Sequence, residues 1–390
     1  MRLVPRRQVL FESALILGVA MLSRVKALAQ TIISRVPAAA GWKIKVTTTT
    51  SPQDFKVGLT IPSGTFTIDW GDGSKDAYTT TSVKVHSYAT AGTYIMRMTG
   101  NASLIDFYTS ATPTLVIEIM NRVNGITGLT SFSSTFRDCT GITSIPSGLF
   151  DTCGTGLTAS AFLATFRGCT GITSIPTDLF RYNTAVTTSA FYHTFYGCTG
   201  LTSIPTDLFR YNTLVTTYAF YNTFRDCTGL TSIPTDLFRY NKLVTTGAFV
   251  NTFLGCSKIT GIPVDLFDWI GAGVETLEGT FQGCTLLVGN VCSLTLNTAV
   301  TNLTWAGSKF DGWTASTIAN TLKTFSLLNA KLTVAAVNQL LVDFDATDTA
   351  TGTLNVGSVT NATPTAGPPN GTGAVDSLRA NSWTVTCNNY

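Results

Sequence analysis

The stretch TFYGCTGLTSIPTDLF, residues 194–209, is one of five nearly identical copies in this chain. The other copies begin at Thr135, Thr165, Thr223, Thr252 and, in a shorter sixth form, Thr280. One cysteine recurs in every copy, at intervals of 30, 29, 29, 29 and 28 residues. A fixed period of roughly 20–50 residues indicates a solenoid, whose stacked units form an extended surface that usually binds or builds rather than catalyses.

The recurring cysteines are one structural position rather than a disulfide framework. Equivalent residues of stacked coils lie about 4.8 Å apart, and a row of identical thiols at that spacing is typical of a buried core. The even period offers no pairs, so we expect reduced thiols at Cys139, Cys169, Cys198, Cys227, Cys256 and Cys284. Cys153, Cys292 and Cys387 lie outside this row and receive no assignment.

The composition restricts the classes of partner. The chain has 390 residues, of which 44% are hydrophobic and only 12% are charged. This length allows two or three domains, and the charged share is about half the usual one. The net charge is +3 and no basic run follows the first seven residues. We therefore expect no nucleic-acid partner.

One repeat unit predicts a short strand followed by short helical turns. Residues 201–204 are predicted to form the strand, with Leu201 and Ile204 near the core, and Pro205 ends it because proline has no N–H to donate. Thr206 or Asp207 can cap a helical turn that follows, and a second helical piece is expected before the next copy. Each unit buries about five large apolar groups against its neighbours, so it is stable only when stacked.

The repeats resemble the leucine-rich repeats of BspA-like surface proteins, whose units carry AF-x-x-C and L-x-x-I-P. Ala219-Phe220 and the run CTGLTSIP at 227–234 match these motifs. The unit is longer than usual because residues 221–226 separate AF from the cysteine, which predicts a bulkier convex side. The resemblance extends from Val116 to about Gly307. It implies a solenoid of the leucine-rich-repeat type and does not identify a partner.

The segment 41–100 has a different pattern, in which polar and apolar residues alternate over short stretches separated by turn residues. This pattern predicts a small β-sandwich. Asp69 precedes the tight turn WGDG at 70–73, and Asp72 lies within it. We expect them to cap that turn rather than bind calcium, because no third acidic residue follows at a suitable spacing.

The same segment resembles the PKD-like domain, an immunoglobulin-type module of surface proteins. The marks of that family are the WGDG turn and the pattern H-x-Y-x-x-x-G-x-Y, which His86, Tyr88, Gly92 and Tyr94 match in order and spacing. The resemblance implies a spacer or adhesion module without catalytic residues of its own.

The N-terminal segment allows two interpretations. Residues 1–29 combine basic residues, an apolar stretch and a small-residue site before Gln30, which is the pattern of a secretion signal. Glu12 interrupts the apolar stretch, and its uncharged part, 13–23, is too short to span a bilayer. Apolar residues also follow a heptad pattern over 11–36, which predicts a helix that docks or oligomerises.

Atypical units are expected at both ends of a repeat array. Residues 101–134 are predicted to form a degenerate first coil. The tail is predicted to alternate helices and strands, with helices at 315–328, 334–344 and 374–380 and strands at 353–356 and 383–387. This tail resembles the C-terminal caps of repeat proteins in tailed-phage and environmental viral sequences, and that resemblance implies a virion.

No catalytic chemistry is apparent in the sequence. There is no H-E-x-x-H, Walker loop, G-x-S-x-G or CxxC motif, and the chain has only two histidines. His193 occupies a position held by alanine or asparagine in the other copies, so it is interpreted as a tolerated variant. Acidic residues recur at Asp178, Asp207, Asp236 and Asp265 and are expected to cap helical turns. We expect no enzyme activity, cofactor or metal.

One recurring feature is a candidate binding stripe. Three consecutive copies carry the same tripeptide, at Arg181, Tyr182, Asn183, Arg210, Tyr211, Asn212, Arg239, Tyr240 and Asn241. Aromatic rings beside guanidinium and amide groups suit contacts with sugars or proteins. In the alternative interpretation the tyrosines cover apolar surface and the arginines pair with the acidic row.

Together these patterns predict a mainly β fold with short helices. The expected organisation is an N-terminal helix at 1–40, an immunoglobulin-like β-sandwich at 41–100, a leucine-rich-repeat solenoid at 101–307 and an α/β capping region at 308–390. The leading hypothesis is a non-enzymatic phage fibre or decoration subunit on the virion surface. Expected partners are other virion proteins, a host-surface glycan or protein and further copies of the chain. The alternative hypothesis is a secreted bacterial adhesin whose signal peptide is removed.

Overall fold

The computed structural model describes the chain from residue 41 onward, with gaps. The described residues are 41–108, 112–263, 266–267, 269, 273–288, 301–307, 323–328, 330, 332–346, 352–357, 363–366, 370–381 and 383–387. The prediction of a helix or signal at 1–40 lies outside them. The described residues from Trp42 onward belong to one compact unit.

The alternating segment after Gly41 forms two sheets that enclose a common core. Its strands are β1 (Trp42–Thr48), β2 (Gln53–Thr60), β3 (Phe66–Asp69), β4 (Lys75–Tyr78), β5 (Ser82–Tyr88), β6 (Gly92–Asn101), β7 (Leu104–Asp106), β8 (Val116–Ile119) and β9 (Ile126–Thr127). One sheet has the order β4-β3-β6-β1-β8, with β9 beside β6, and the other has the order β5-β2-β7. In β1 the side chains of Trp42, Ile44 and Val46 are buried while the lysines between them are partly exposed, as alternation along a strand requires.

The sequence-based boundary at residue 100 is wrong. After it, β7 pairs with β2, β8 pairs with β1 and β9 pairs with β6, so part of the predicted first coil belongs to the two sheets. The core is also continuous, because the rings of Trp42 and Phe107 lie 5.6 and 5.7 Å from that of Phe136 in the first repeat. Pairings between strands this far apart in sequence produce no local sequence pattern from which the boundary could have been predicted.

The repeat units contain turns where short helices are predicted. Tyr218, Asn222 and Asp226 have φ angles of 53°, 53° and 57°, so a left-handed residue interrupts any helix at every fourth position. N–H groups at alternate residues 218–226 donate to carbonyls of the next unit at 2.7–3.1 Å, and N–H groups of 221, 223, 225 and 227 donate three residues back. Each unit is therefore bonded to its neighbour by a regular series of backbone hydrogen bonds.

The predicted strand at 201–204 is also not formed. Gly200 and Thr202 each donate to the preceding unit, at 3.1 and 3.2 Å, but these bonds do not extend into a regular strand. Pro205 follows immediately and has no N–H to donate, which keeps the segment short.

Aromatic side chains of successive units stack in columns inside the repeat region. The first column consists of Phe136, Phe166, Phe195, Phe224, Phe253 and Phe281, whose consecutive ring centroids lie 5.5–5.6 Å apart. Trp305 closes this column at 5.0 Å. A row of buried threonines runs beside it, and the hydroxyl of Thr223, for example, donates to the Phe191 carbonyl at 2.7 Å. Residues that recur in the sequence thus make equivalent contacts in successive units.

The tail forms a four-stranded parallel sheet with two helices. The strands β10 (Asn302–Thr304), β11 (Thr324–Ser326), β12 (Thr353–Asn355) and β13 (Thr384–Thr386) pair in sequence order, and the helices are α1 (Val334–Asp345) and α2 (Gly371–Ala380). Thr333 is the N-cap of α1, and its hydroxyl accepts from the Ala336 N–H. Asn370 is the N-cap of α2, and its side chain accepts from the Gly373 N–H.

Most elements predicted for the tail are confirmed. The helices predicted at 334–344 and 374–380 and the strands predicted at 353–356 and 383–387 are present with small shifts in their ends. The helix predicted at 315–328 is wrong at its C-terminal end, because β11 occupies 324–326. Residues 315–322 lie outside the described residues. The described part of the chain is mainly β and turn, with two α-helices and short 3-10 helices at Pro113–Leu115 and Gly154–Gly156. None of these helices is long and apolar enough to cross a membrane.

Candidate functional site

The three asparagines of the predicted binding stripe lie in the interior. Asn183, Asn212 and Asn241 are at most 1% exposed, so the prediction that they contribute to a binding surface is wrong. Each asparagine closes a turn by donating its backbone N–H to the carbonyl of the phenylalanine three residues earlier. Its arginine and tyrosine are the central residues of that turn, and consecutive residues of a turn point in different directions. The Asn212 amide donates to the carbonyls of Phe180 and Asn183 at 3.1 and 3.0 Å, so this side chain joins neighbouring units.

The arginines and tyrosines of the stripe remain at the surface and form an interleaved row. We call it the Arg–aromatic ladder, and it consists of Arg181, Tyr182, Arg210, Tyr211, Arg239, Tyr240 and Trp269. The Arg181 guanidinium lies 5.5 Å from the Tyr182 ring centroid in its own unit and 5.4 Å from that of Tyr211 in the next. Such contacts stabilise by about 0.5–1 kcal/mol each at exposed sites.

The same alternation continues along the ladder. Arg210 lies 5.8 Å from the Tyr211 ring and 5.2 Å from the Tyr240 ring, and Arg239 lies 6.0 Å from Tyr240 and 4.8 Å from Trp269. The arginine side chains are 43–45% exposed. Because guanidinium groups cover the rings of Tyr211 and Tyr240, a ligand would meet ring edges, phenol hydroxyls and N–H groups there.

Tyr182 stands at the open end of the ladder. Among the described residues only one cation, Arg181, lies over the Tyr182 ring. Tyr182 itself is 50% exposed. The preceding unit carries Asp151 and Thr152 at the matching positions. Tyr182 is therefore the tyrosine of the ladder that is best able to stack on a sugar ring.

The acidic row does not cap helical turns, contrary to prediction. The carboxylates of Asp178, Asp207 and Asp236 lie 3.8, 3.5 and 3.2 Å from the guanidinium three residues later in the same unit, as the alternative interpretation predicts. Asp265 lies outside the described residues. Exposed pairs of this kind contribute at most about 1 kcal/mol, and they leave most guanidinium N–H groups able to bind a ligand.

Trp269 is a member of the ladder that the sequence analysis missed. It occupies the tyrosine position of the fifth unit, where LFDWI replaces LFRYN. Alignment of the units by their leucine and phenylalanine, rather than by the tripeptide, would have found it.

The six recurring cysteines are buried free thiols. In five of them, Cys169, Cys198, Cys227, Cys256 and Cys284, the Sγ–H donates to a carbonyl of the preceding unit at 2.9–3.3 Å. Burial raises the pKa of all six thiols, to about 12 for Cys284. A thiol held protonated in a dry interior is a poor nucleophile, so this row has a packing role.

The aromatic residues of the two motifs singled out in the segment 41–100 contact one another. The His86 ring lies 4.6 Å from Trp70 and 4.6 Å from Tyr88, and Tyr88 lies 4.1 Å from Tyr94. Asp72 accepts from the Ser74 N–H and lies 2.8 Å from His86 Nε2. Burial alone would raise the pKa of Asp72, but these hydrogen bonds and the nearby imidazole lower it to about 2.

The predicted turn-capping role of the two aspartates is confirmed. Asp69 accepts from the Gly71 N–H at 3.1 Å, and Asp72 accepts from Ser74 at 2.9 Å. No cluster of three or more potential metal ligands occurs among the described residues.

A shallow cavity of about 370 Å³ beside β9 is lined by Ile126–Thr130, Thr152, Cys153 and Gly156, and this lining carries no charged side chain.

Comparison with known proteins gives no family for the chain. No protein-family model matches it, and none of the curated proteins is significantly similar to it.

Proposed function

We propose that the protein is a non-enzymatic structural component of a virion, a fibre or decoration subunit of a tailed phage. In this proposal the repeats form a leucine-rich-repeat solenoid that displays the Arg–aromatic ladder to a glycan or protein on the host surface. The N-terminal segment joins the subunit to other virion proteins and to further copies of itself, and an immunoglobulin-like, PKD-type module follows it as a spacer.

The observation that carries the proposal is the ladder itself. Four aromatic side chains and three guanidinium groups recur at two adjacent positions of successive units. Tyr182, Tyr211 and Trp269 are 36–50% exposed and Tyr240 is partly exposed, although the unit needs only its buried columns to stack. Rigid aromatic groups and arginine are the side chains most enriched where proteins bind partners. A repeating row of this kind suits a ligand that also repeats, such as a polysaccharide.

The charge of the ladder favours a neutral ligand. The charges of the three arginines are balanced by those of Asp178, Asp207 and Asp236, and one further cation, Lys242, lies 6.0 Å from the Trp269 ring at the far end of the ladder. Recognition would then rest on hydrogen bonds from N–H and hydroxyl groups, with one sugar ring stacked on Tyr182. Binding of this kind depends weakly on ionic strength.

A secreted bacterial adhesin is the alternative, and the native material separates the two. The virion proposal predicts that the protein purifies with phage particles and that Edman or mass-spectrometric sequencing finds residues before Gln30. Recovery from a cell-surface fraction with a mature start at Gln30 would overturn it in favour of the adhesin.

The ladder makes a direct prediction about attachment. Replacing Tyr182, Tyr211 and Tyr240 together with alanine should weaken binding to host cells by at least about tenfold, because exposed aromatic anchors contribute most of such binding energy. The measurement is retention of fluorescently labelled protein on cells, with the melting temperature recorded in parallel. Leu214→Ala, at a side chain that is 46% exposed, is the matched control and should bind as the wild type does. Full retention of the triple variant would show that the ladder is only scaffold.

A further inference from the structure

Two central units carry a second group of aromatic side chains that the other units lack. We call Tyr192, His193, Tyr196, Tyr218 and Tyr221 the Tyr–His patch. At the positions of Tyr192 and Tyr221 the neighbouring units have Leu163 and Val250, and at the position of His193 they have alanine or asparagine. Stacking of the units therefore does not require the aromatic residues.

The rings of the Tyr–His patch contact one another. Tyr192 and Tyr221 are stacked with centroids 4.7 Å apart and planes 2° apart, and His193 lies 4.2 Å from Tyr192 and 5.4 Å from Tyr196. The Tyr218 ring meets Tyr221 edge-on at 5.9 Å, and Tyr218 is 41% exposed. The patch is thus a preformed aromatic surface that spans two units.

Two arginines flank this surface. The guanidinium groups of Arg167 and Arg225 lie 4.8 and 5.3 Å from the Tyr196 ring. Arg225 pairs with Asp226 at 3.3 Å. Arg167 forms no ion pair with a described residue, because Gly168 stands where the units with an acidic partner have aspartate.

The electrostatic environment of His193 shows the sign of the field at the patch. Burial lowers the pKa of His193, and the positive charges of Arg167, Arg225 and Arg137 lower it further, to about 4. The Asn222 amide nitrogen lies 2.7 Å from His193 Nε2. Arg137 and Arg225 pair with Asp138 and Asp226, so Arg167 leaves one uncompensated positive charge among the described residues here. That charge, beside the tyrosine hydroxyls, favours an anionic ligand.

Most backbone N–H groups of this segment already donate hydrogen bonds within the repeats. The N–H groups of Ser189, Phe191 and His193 donate to the next unit, and those of Tyr192, Thr194 and Tyr196 donate three residues back. An extended peptide therefore finds no free strand edge to pair with, and a net charge of +3 provides too few cations for a nucleic acid.

We propose that the Tyr–His patch is a second binding site, separate from the Arg–aromatic ladder, for a carboxylate-bearing sugar. The carboxylate binds the guanidinium of Arg167, the commonest bidentate partner of such a group, and the sugar ring packs against the outer faces and hydroxyls of the tyrosines.

The test uses the full chain and two matched pairs of glycans, sialyllactose with lactose and oligogalacturonate with its methyl ester. At least one acidic member should bind, its neutral counterpart should bind at least about tenfold more weakly, and added salt should weaken the acidic complex. If neither acidic glycan binds, or if acidic and neutral members bind equally, the proposal is overturned.

A second variant takes its new side chains from the equivalent positions of neighbouring units, so that loss of binding can be told apart from loss of folding. Tyr192→Leu, His193→Ala, Tyr221→Val and Arg167→Leu introduce the side chains of Leu163, Ala164, Val250 and Leu254. This variant should keep a cooperative melting transition and lose affinity for the acidic glycan by about tenfold or more. Leu243→Ala, at a side chain that is 53% exposed, should bind normally. Unchanged affinity in the fourfold variant would exclude the site, whatever the outcome for attachment through the ladder.

Discussion

Replacing Asn212 with aspartate is expected to destabilise the protein severely at neutral pH and much less in acid. Asn212 is fully buried, and its amide N–H groups bond to the carbonyls of Phe180 and Asn183. A carboxylate can donate to neither carbonyl and would face both. Burial of this kind raises an aspartate pKa by up to about 3–5 units. Because the unfolded-state pKa is about 3.9, about 3 pH units of this penalty have accumulated by pH 7, and at about 1.4 kcal/mol per unit the cost there is about 4 kcal/mol.

The sign of the pH dependence identifies the cause. The folded-state pKa of the new aspartate lies above its unfolded value of about 3.9, so the penalty is absent below that pH and grows as pH rises toward the folded pKa. The measurement is the free energy of unfolding relative to wild type across this range. Thr213→Asp, at the exposed neighbouring residue, is the control and should show no such slope. Equal pH profiles for the two variants would mean that Asn212 is not buried between units.

Replacing Phe195 with alanine is expected to lower the free energy of unfolding by about 3–5 kcal/mol. Phe195 is fully buried in the middle of the first aromatic column, with ring centroids 5.6 Å from both Phe166 and Phe224. Truncation removes contacts on both faces and leaves a cavity that two rigid neighbouring units cannot close.

Chemical denaturation of the variant and the wild type gives this difference. Leu286→Ala removes a similar apolar group from a side chain that is 47% exposed and should change the free energy by no more than about 0.5 kcal/mol. A Phe195 variant as stable as the Leu286 variant would contradict the packing described for the column.

The burial of the repeat columns could be predicted because it depends only on the period. Cysteine and phenylalanine recur once per unit, so if one unit buries them, all units do. The local backbone could not be predicted in the same way. Apolar spacing such as Phe220 and Phe224 suggests one helical face, yet a left-handed residue at every fourth position prevents a helix. Asn222 and Asp226, residue types that tolerate this conformation, were the available signal.

The candidate site was predicted in part for a related reason. A tripeptide shows which residues are neighbours in sequence, but the turn sends Arg210 and Tyr211 outward and Asn212 inward. The buried asparagine and the exposed pair have the same polar character, so composition alone does not separate them. The Tyr–His patch was not predicted because His193 was interpreted as a tolerated variant of the repeat. Surface residues that differ from the repeat only in the central units are nevertheless a usable signal of a binding site.

The claim on which the account depends is that the units are equivalent layers, each bonded to the next in the same register. Deleting residues 194–222, one full unit that starts and ends at equivalent positions, joins His193 to Thr223 and preserves every column. Deleting 194–208 instead joins parts that do not correspond. The measurement is cooperative thermal unfolding, followed by near-ultraviolet circular dichroism, of the two deletions and the full chain. We expect the full-unit deletion to unfold cooperatively from a native-like spectrum and the partial deletion to lack both properties. Loss of native structure in both deletions alike would contradict the account.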